Sequence, residues 1–169
     1  SANGFDMDHP LVSMPNCANG DDTYDCNDDN NHDTIKYADV NGDGRADLIY
    51  RGDNGIRLYL STGGGVFNTL VQTKMCADGS SLYGACNSKD NNHSIQTPDI
   101  NGDVRADLCF RSDVGIKCVL STGNGWDIAH MINVDICYDD QATYGKCNGD
   151  DNYSSIDYAD FDGDGRADL

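Results

Sequence analysis

Three short runs of oxygen-bearing side chains dominate the sequence. Asp39–Leu48 reads DVNGDGRADL, Asp99–Leu108 reads DINGDVRADL and Asp160–Leu169 reads DFDGDGRADL. Counted from the first aspartate, carboxylate or amide oxygens fall at positions 1, 3, 5 and 9, and position 7 can add a backbone carbonyl. The donor sets are Asp39, Asn41, Asp43, Asp47 and the carbonyl of Arg45; Asp99, Asn101, Asp103, Asp107 and the carbonyl of Arg105; and Asp160, Asp162, Asp164, Asp168 and the carbonyl of Arg166. Hard oxygen donors at this spacing suit Ca2+, which takes about six to eight oxygens at roughly 2.3–2.6 Å. Packed carboxylates repel one another unless a cation sits among them. The absence of soft ligands near the loops argues against zinc or copper. Position 12 is Tyr50 or Phe110 rather than glutamate, so an EF-hand is not expected. Val104 stands where the other loops have Gly44 and Gly165. If that position needs a positive φ, valine is strained there and the second site is weakened.

The rest of the chemistry is sparse. None of the histidines, His9, His32, His93 and His130, has metal-ligand spacing or a nucleophile motif beside it. There is no G-x-S-x-G, P-loop or dinucleotide fingerprint. The expectation is a chain that is not an enzyme in its own right.

The elements that carry the loops repeat with them. The loops are offset by 60 and 61 residues, and Cys17, Cys76 and Cys137 keep this step, as do Cys26, Cys86 and Cys147. This divides the chain into repeats at 1–60 (loop 39–47), 61–120 (loop 99–107) and an incomplete 121–169 (loop 160–168). The phase is that expected of a window cut from a longer array. Between landmarks the pattern is β: Leu48–Arg51 and Ile56–Leu60 flank Gly52–Gly55, a hairpin with a four-residue turn, and Leu108–Arg111 and Ile116–Leu120 repeat it. The following Ser-Thr-Gly segments read as turns. Trp126 aligns with Phe5 and reads as core.

The hairpin register makes a covalent prediction. If Arg111 opposes Ile116, then Cys109 opposes Cys118, where the first repeat has Ile49 and Leu58. Opposed residues in a hairpin lie close enough for a disulfide. The remaining pairs are expected to be local: Cys17–Cys26, Cys76–Cys86 and Cys137–Cys147. Eight cysteines in close pairs imply an oxidising compartment. The sequons at Asn92 and Asn152 fit secretion. No run approaches the roughly 20 apolar residues of a membrane span. With 29 acidic against 11 basic residues, net charge −18, the surface repels nucleic acid and anionic membranes.

The D-x-[DN]-G-D-G-R-A-D-L loop, followed by a hairpin and Ser-Thr-Gly, resembles FG-GAP/VCBS repeats, the blades of integrin-type β-propellers and related lectins. The resemblance covers nearly the whole chain in three copies. It implies an all-β fold of tandem four-stranded antiparallel propeller-type blades, with the aspartates above as calcium ligands. The paired cysteines are not a general feature of that family. Three repeats are also fewer than the four or more blades of a closed propeller, which leaves an open array or part of a larger ring. The expected role is a calcium-stabilised, disulfide-stapled extracellular module, structural or adhesive in a fibre, stalk or surface scaffold. Such a module would associate with itself or neighbouring repeats, or meet a glycan or cell-surface protein. The resemblance also leaves open a lectin module or an accessory domain of a secreted hydrolase. Tyr24, Tyr83 and Tyr144, beside Asn- and Asp-rich runs, are candidate sugar contacts, or else cover local apolar surface. Arg51-Gly52-Asp53 spells a cell-adhesion tripeptide but reads more simply as turn chemistry.

Overall fold

The computed structural model describes residues 31–64, 66–81, 83, 86, 91, 93–139 and 155–169. Among the described residues, two antiparallel sheets carry the fold. The first holds β1 (Lys36–Ala38), β2 (Asp47–Gly52), β3 (Gly55–Gly63) and β4 (Val66–Gln72) in the order β1-β2-β3-β4. The second holds β5 (Leu108–Ser112), β6 (Gly115–Val119) and β7 (Ile132–Val134) in the order β5-β6-β7. A single bridge, Gln96 to Cys109, replaces the pairing that β1 makes through Lys36 with Ile49. The same step recurs as the bridge between Ala159 and Asp168, which matches Ala38 opposite Asp47. Each bridge or short strand leads straight into an acidic loop, and each loop ends on the strand that pairs back with it.

Alternation along the strands sorts side chains onto two faces. In the first sheet, Ile49 and Leu58 lie opposite each other and enter the main core, where Leu108, Phe110 and Val119 of the second sheet meet them. The other face of the first sheet carries Leu48, Tyr50 and Tyr59, packed with Ile35 and Phe67. Tyr50 and Tyr59 stack with ring centroids 6.1 Å apart. The far face of the second sheet carries Cys109, Ile116 and Cys118, which pack against Cys137, Ile156 and Tyr158. The sheets therefore stack face to face, and each buried Leu, Ile or Phe between them contributes about 1.5–3 kcal/mol by leaving water. Trp126 is buried in the main core, where its alignment with Phe5 placed it.

Two local details differ from the sequence reading. The first hairpin turns on Asp53 and Asn54 alone, because Gly52 and Gly55 still pair in the ladder. The sequence pattern treats both glycines as punctuation, but here they are the last rungs. Gly55 must be a glycine: at φ +109° a Cβ would stand 2.1 Å from the carbonyl oxygen of Thr73. Gly115 repeats the situation, with a Cβ position 2.5 Å from the carbonyl of Val134. The Ser61-Thr62-Gly63 segment is also not a turn but the end of β3, with irregular register from Leu60 onward.

Candidate functional site

Each acidic loop is wound around its own first aspartate. Asp39 Oδ1 accepts the backbone N–H groups of Gly42 (2.7 Å) and Asp43 (3.1 Å), and Oδ2 accepts that of Gly44 (2.7 Å). Asp99 takes the N–H groups of Gly102 (2.8 Å), Asp103 (3.2 Å) and Val104 (2.8 Å) in the same way. Asp160 takes those of Gly163 (2.7 Å), Asp164 (3.1 Å) and Gly165 (2.9 Å). The third position holds the fifth: the N–H of Asp43 reaches Asn41 Oδ1 at 3.0 Å, and the N–H of Asp164 reaches Asp162 Oδ1 at 3.0 Å. The fifth then accepts the N–H of the seventh, Arg45 to Asp43 at 2.9 Å, Arg105 to Asp103 at 3.0 Å and Arg166 to Asp164 at 2.9 Å. These local bonds offer the backbone an alternative to regular structure. They turn the chain so tightly that the donors of positions 1, 3, 5 and 9 lie on one short loop.

The ninth position closes the loop onto the sheet. Asp47 Oδ2 accepts the N–H of Val40 at 2.9 Å, and Oδ1 accepts the N–H of Ser61 at 2.8 Å. Asp107 does the same with Ile100 at 3.0 Å and Ser121 at 2.7 Å. Both carboxylates are fully buried. Burial pushes both above the usual carboxylate range, and the neighbouring loop aspartates add to the rise; the backbone donors only partly offset it. At the fifth position the balance is reversed for Asp103. Hydrogen bonds from Arg105 hold its carboxyl below the usual value. In the third loop one oxygen each of Asp160, Asp162 and Asp168 lie within 4.8 Å of one another. The donor set throughout is hard oxygen, without sulfur or imidazole, and its chemistry fits a calcium-sized hard cation.

Val104 adopts φ +68°, close to the +81° of Gly44 and the +85° of Gly165. The second loop thus keeps the shape of the others, at the expense of a β-branched residue in left-handed backbone. Val104 is 79% exposed, so burial offers little compensation.

The predicted covalent links fall as follows. Cys109 lies opposite Cys118 in the ladder and is bonded to it. Cys76 is bonded to Cys86. Cys137 is disulfide-bonded, while its expected partner Cys147 lies outside the described residues, as do Cys17 and Cys26. Asn92, Asn152, Tyr24 and Tyr144 also lie outside them. Tyr83 rests partly buried against the main core.

A second repeated arrangement went unread in the sequence. Arg51 is 1% exposed and Arg111 2%. Arg51 bonds Asn31 and Asp78 through its two terminal nitrogens and the carbonyl of Cys76 through Nε at 2.9 Å. Arg111 bonds Asn91, Asp139 and, at 2.8 Å, the carbonyl of Cys137. The amides of Asn31 and Asn91 continue to Asp53 and Asp113 at 3.1 and 3.0 Å. The arginine of Arg51-Gly52-Asp53 is therefore a core residue and not a displayed adhesion contact. The signal that could have found this is the parallel step of Asn31/Asn91, Arg51/Arg111 and Asp53/Asp113 through the sequence.

The FG-GAP-like repeat family matches residues 39–96, from the first aspartate of the first loop to Gln96. No curated protein matches the chain significantly. Among solved structures, an Agrocybe aegerita lectin that recognises non-reducing terminal N-acetylglucosamine is similar over 54% of this chain and 21% of its own, at 28% identity and a TM-score of 0.42. The TcdB2–TccC3 structures, with and without the hypervariable C-terminal region, are similar over 59% of this chain and 4% of theirs, at 17% identity and a TM-score of 0.42. The chain spans only a small part of the solved structures it matches.

Proposed function

We propose that this chain, whose residues 39–96 match the FG-GAP-like repeat, is a non-catalytic structural module of an extracellular scaffold, held rigid by calcium in its acidic loops. One observation carries the reading: three loops of the same backbone shape present side-chain oxygens at the same positions, 1, 3, 5 and 9. In this reading each repeat is a propeller-type blade. Asp39, Asn41, Asp43, Asp47 and the Arg45 carbonyl would hold the first ion, and the matching residues of the other loops the second and third. When bound, the ion would cancel the repulsion among carboxylates that the chain must otherwise bring together. The chain's own part is to orient the donors, through the backbone bonds to Asp39, Asp99 and Asp160, and to anchor the first two loops through Asp47 and Asp107. The disulfides support an oxidising, extracellular setting. A stiff, acidic, cross-linked stack of repeats suits a fibre, stalk or surface scaffold.

The test is calorimetric melting of the non-reduced protein in millimolar calcium and then in excess chelator. Ion binding to the folded state alone raises stability by RT ln(1 + [L]/Kd) per site. A large fall in Tm on chelation is expected. An unchanged Tm would overturn the proposal.

A further inference from the structure

The second acidic loop holds the backbone that carries the donors of the first. Asp39 and Asn41, positions 1 and 3 of the first loop, are joined by two successive peptide units. The carbonyl of the first unit, that of Asp39, accepts the N–H of Ala106 at 2.7 Å. The carbonyl of the second, that of Val40, accepts the hydroxyl of Ser121 at 2.5 Å. Both donors are set by the second loop. Ala106 is its position 8, between the Arg105 carbonyl and Asp107. Ser121 is fixed through its own N–H, which donates to Asp107 Oδ1 at 2.7 Å. On the far side, the N–H of Val40 donates to Asp47 Oδ2 at 2.9 Å. A run of contacts therefore joins the two ninth-position carboxylates: Asp107, Ser121, the backbone of Val40, and Asp47. All four residues are buried, where hydrogen bonds gain strength from the low dielectric.

Arg105 adds a side-chain contact at the same seam. Its guanidinium bonds Asp103, position 5 of its own loop, with Nε at 3.0 Å. Its aliphatic stem lies over Gly42 of the first loop, with Cγ 3.2 Å from where a Cβ would stand. The side chain that pairs with one loop's fifth donor thus covers the other loop's fourth position.

Resting on the calcium reading above, we propose that Ser121 couples the first two loops, so that they take up calcium cooperatively. Fixing Asp107 and the Arg105 carbonyl also fixes Ser121 and Ala106, and with them the two peptide units that aim Asp39 and Asn41. The conformational cost of ordering that backbone is then met once for two sites rather than twice. The coupling is reciprocal by linkage: order in the first loop favours the second by the same factor. Ser121 acts as a positioning residue, since its hydroxyl bonds backbone groups, the Val40 carbonyl and the Gly123 N–H, and no donor side chain.

The test is calorimetric titration of calcium into the calcium-free, non-reduced chain. Asp164→Ala is present throughout to silence the third loop. Adding Asp43→Ala leaves the second loop alone, and adding Asp103→Ala leaves the first. The overall affinity with both loops intact is expected to exceed the product of the two single-loop affinities by about fivefold or more. Ser121→Ala should reduce that excess to under about twofold, and Ser121→Thr, which keeps the hydroxyl, should retain it. Ser61→Ala is the control. Ser61 holds Asp47 and Gly63 just as Ser121 holds Asp107 and Gly123, so its loss does the same local damage without touching the seam. It should leave the excess unchanged. A second reading needs no silenced loop: the calcium titration of the otherwise unaltered chain should become less steep in Ser121→Ala and not in Ser61→Ala. Calcium binding with no excess, an excess that survives Ser121→Ala, or an equal loss in Ser61→Ala would each overturn the coupling while leaving the calcium reading in place. A chain that takes up no calcium would overturn both.

Discussion

Arg51 Nε donates to the carbonyl of Cys76 at 2.9 Å, although the two residues lie on different segments 25 positions apart. Arg111 makes the same bond to Cys137 at 2.8 Å. Both cysteines sit in left-handed backbone, at φ +56° and +58°, and the arginine fixes each carbonyl there. The guanidinium thereby ties the hairpin to the start of the next cysteine loop, while one terminal nitrogen holds the asparagine that precedes the strand and the other holds Asp78 or Asp139. Because Arg111 is buried, removing it takes away the bonds it donates to Asn91, Asp139 and the Cys137 carbonyl. Arg111→Met is expected to cost about 2–4 kcal/mol in a urea titration of the non-reduced protein. A loss of under ~0.5 kcal/mol would mean that the network contributes nothing to folding.

Val104 provides a stabilising substitution. A non-glycine residue in left-handed backbone costs about 1–2 kcal/mol. Glycine returns about 0.5–1 kcal/mol of that through the entropy of the unfolded chain. Val104→Gly is therefore expected to raise stability by up to ~1 kcal/mol, and Gly44→Val to lower it. Thermal melting of both variants checks this; a Val104→Gly protein that melts lower than wild type would refute the strain.

The Cys109–Cys118 bond takes the place of the apolar pair Ile49 and Leu58 in the first hairpin. The double substitution Cys109→Ile with Cys118→Leu should keep the fold, since the register is unchanged and the neighbouring sheet shows that the pair fits. It should lose part of the roughly 2–3 kcal/mol that closing a loop of this length provides in the loop-entropy model. Cys109→Ala alone should cost more, as it adds a cavity to the lost bond. Equal losses for the two variants, measured by denaturant titration, would contradict this account.

Asp113 supplies a pH dependence outside the acidic loops. Burial first, then the charge of Asp139, raise its carboxyl above the ordinary 3.8, against the opposing pull of Asn91 and Arg111. The folded chain then holds this proton at pH values where the unfolded chain has released it. Its contribution to stability is present below pH 3.8 and declines as pH rises through the raised value. Asp113→Asn removes this titration. The stability of the variant relative to wild type is expected to improve as pH rises through that window and to level off above it. Denaturant midpoints measured across the acid range check the slope, and a slope of opposite sign would refute the assignment.

Much of this was legible in the residues, and for a common reason. The acidic loops, the hairpins and the Cys109–Cys118 register depend on neighbours a few positions apart, where side-chain type and spacing act directly on the backbone. The first aspartate's hold on Gly42, Asp43 and Gly44 is a contact of this kind. The extra rung between Gly52 and Gly55 was missed because glycine pairs in a ladder without leaving a side-chain pattern to read. The arginine networks were missed because Arg51 looks like a surface turn residue, while its partners come from segments 20 to 27 positions away.

The sequence by itself determined the period, the donor sets, the hairpin register and the polarity of the chain. Only the tertiary structure decided that loop stacks on loop, with Ala106 donating to Asp39 and Ala167 to Asp99. It also decided that Val104 accepts a glycine's backbone. A backbone N–H looks the same in every residue of a sequence, and its partner is set by how whole sheets pack. Ile49 and Phe110 are buried in the one core that the two sheets share.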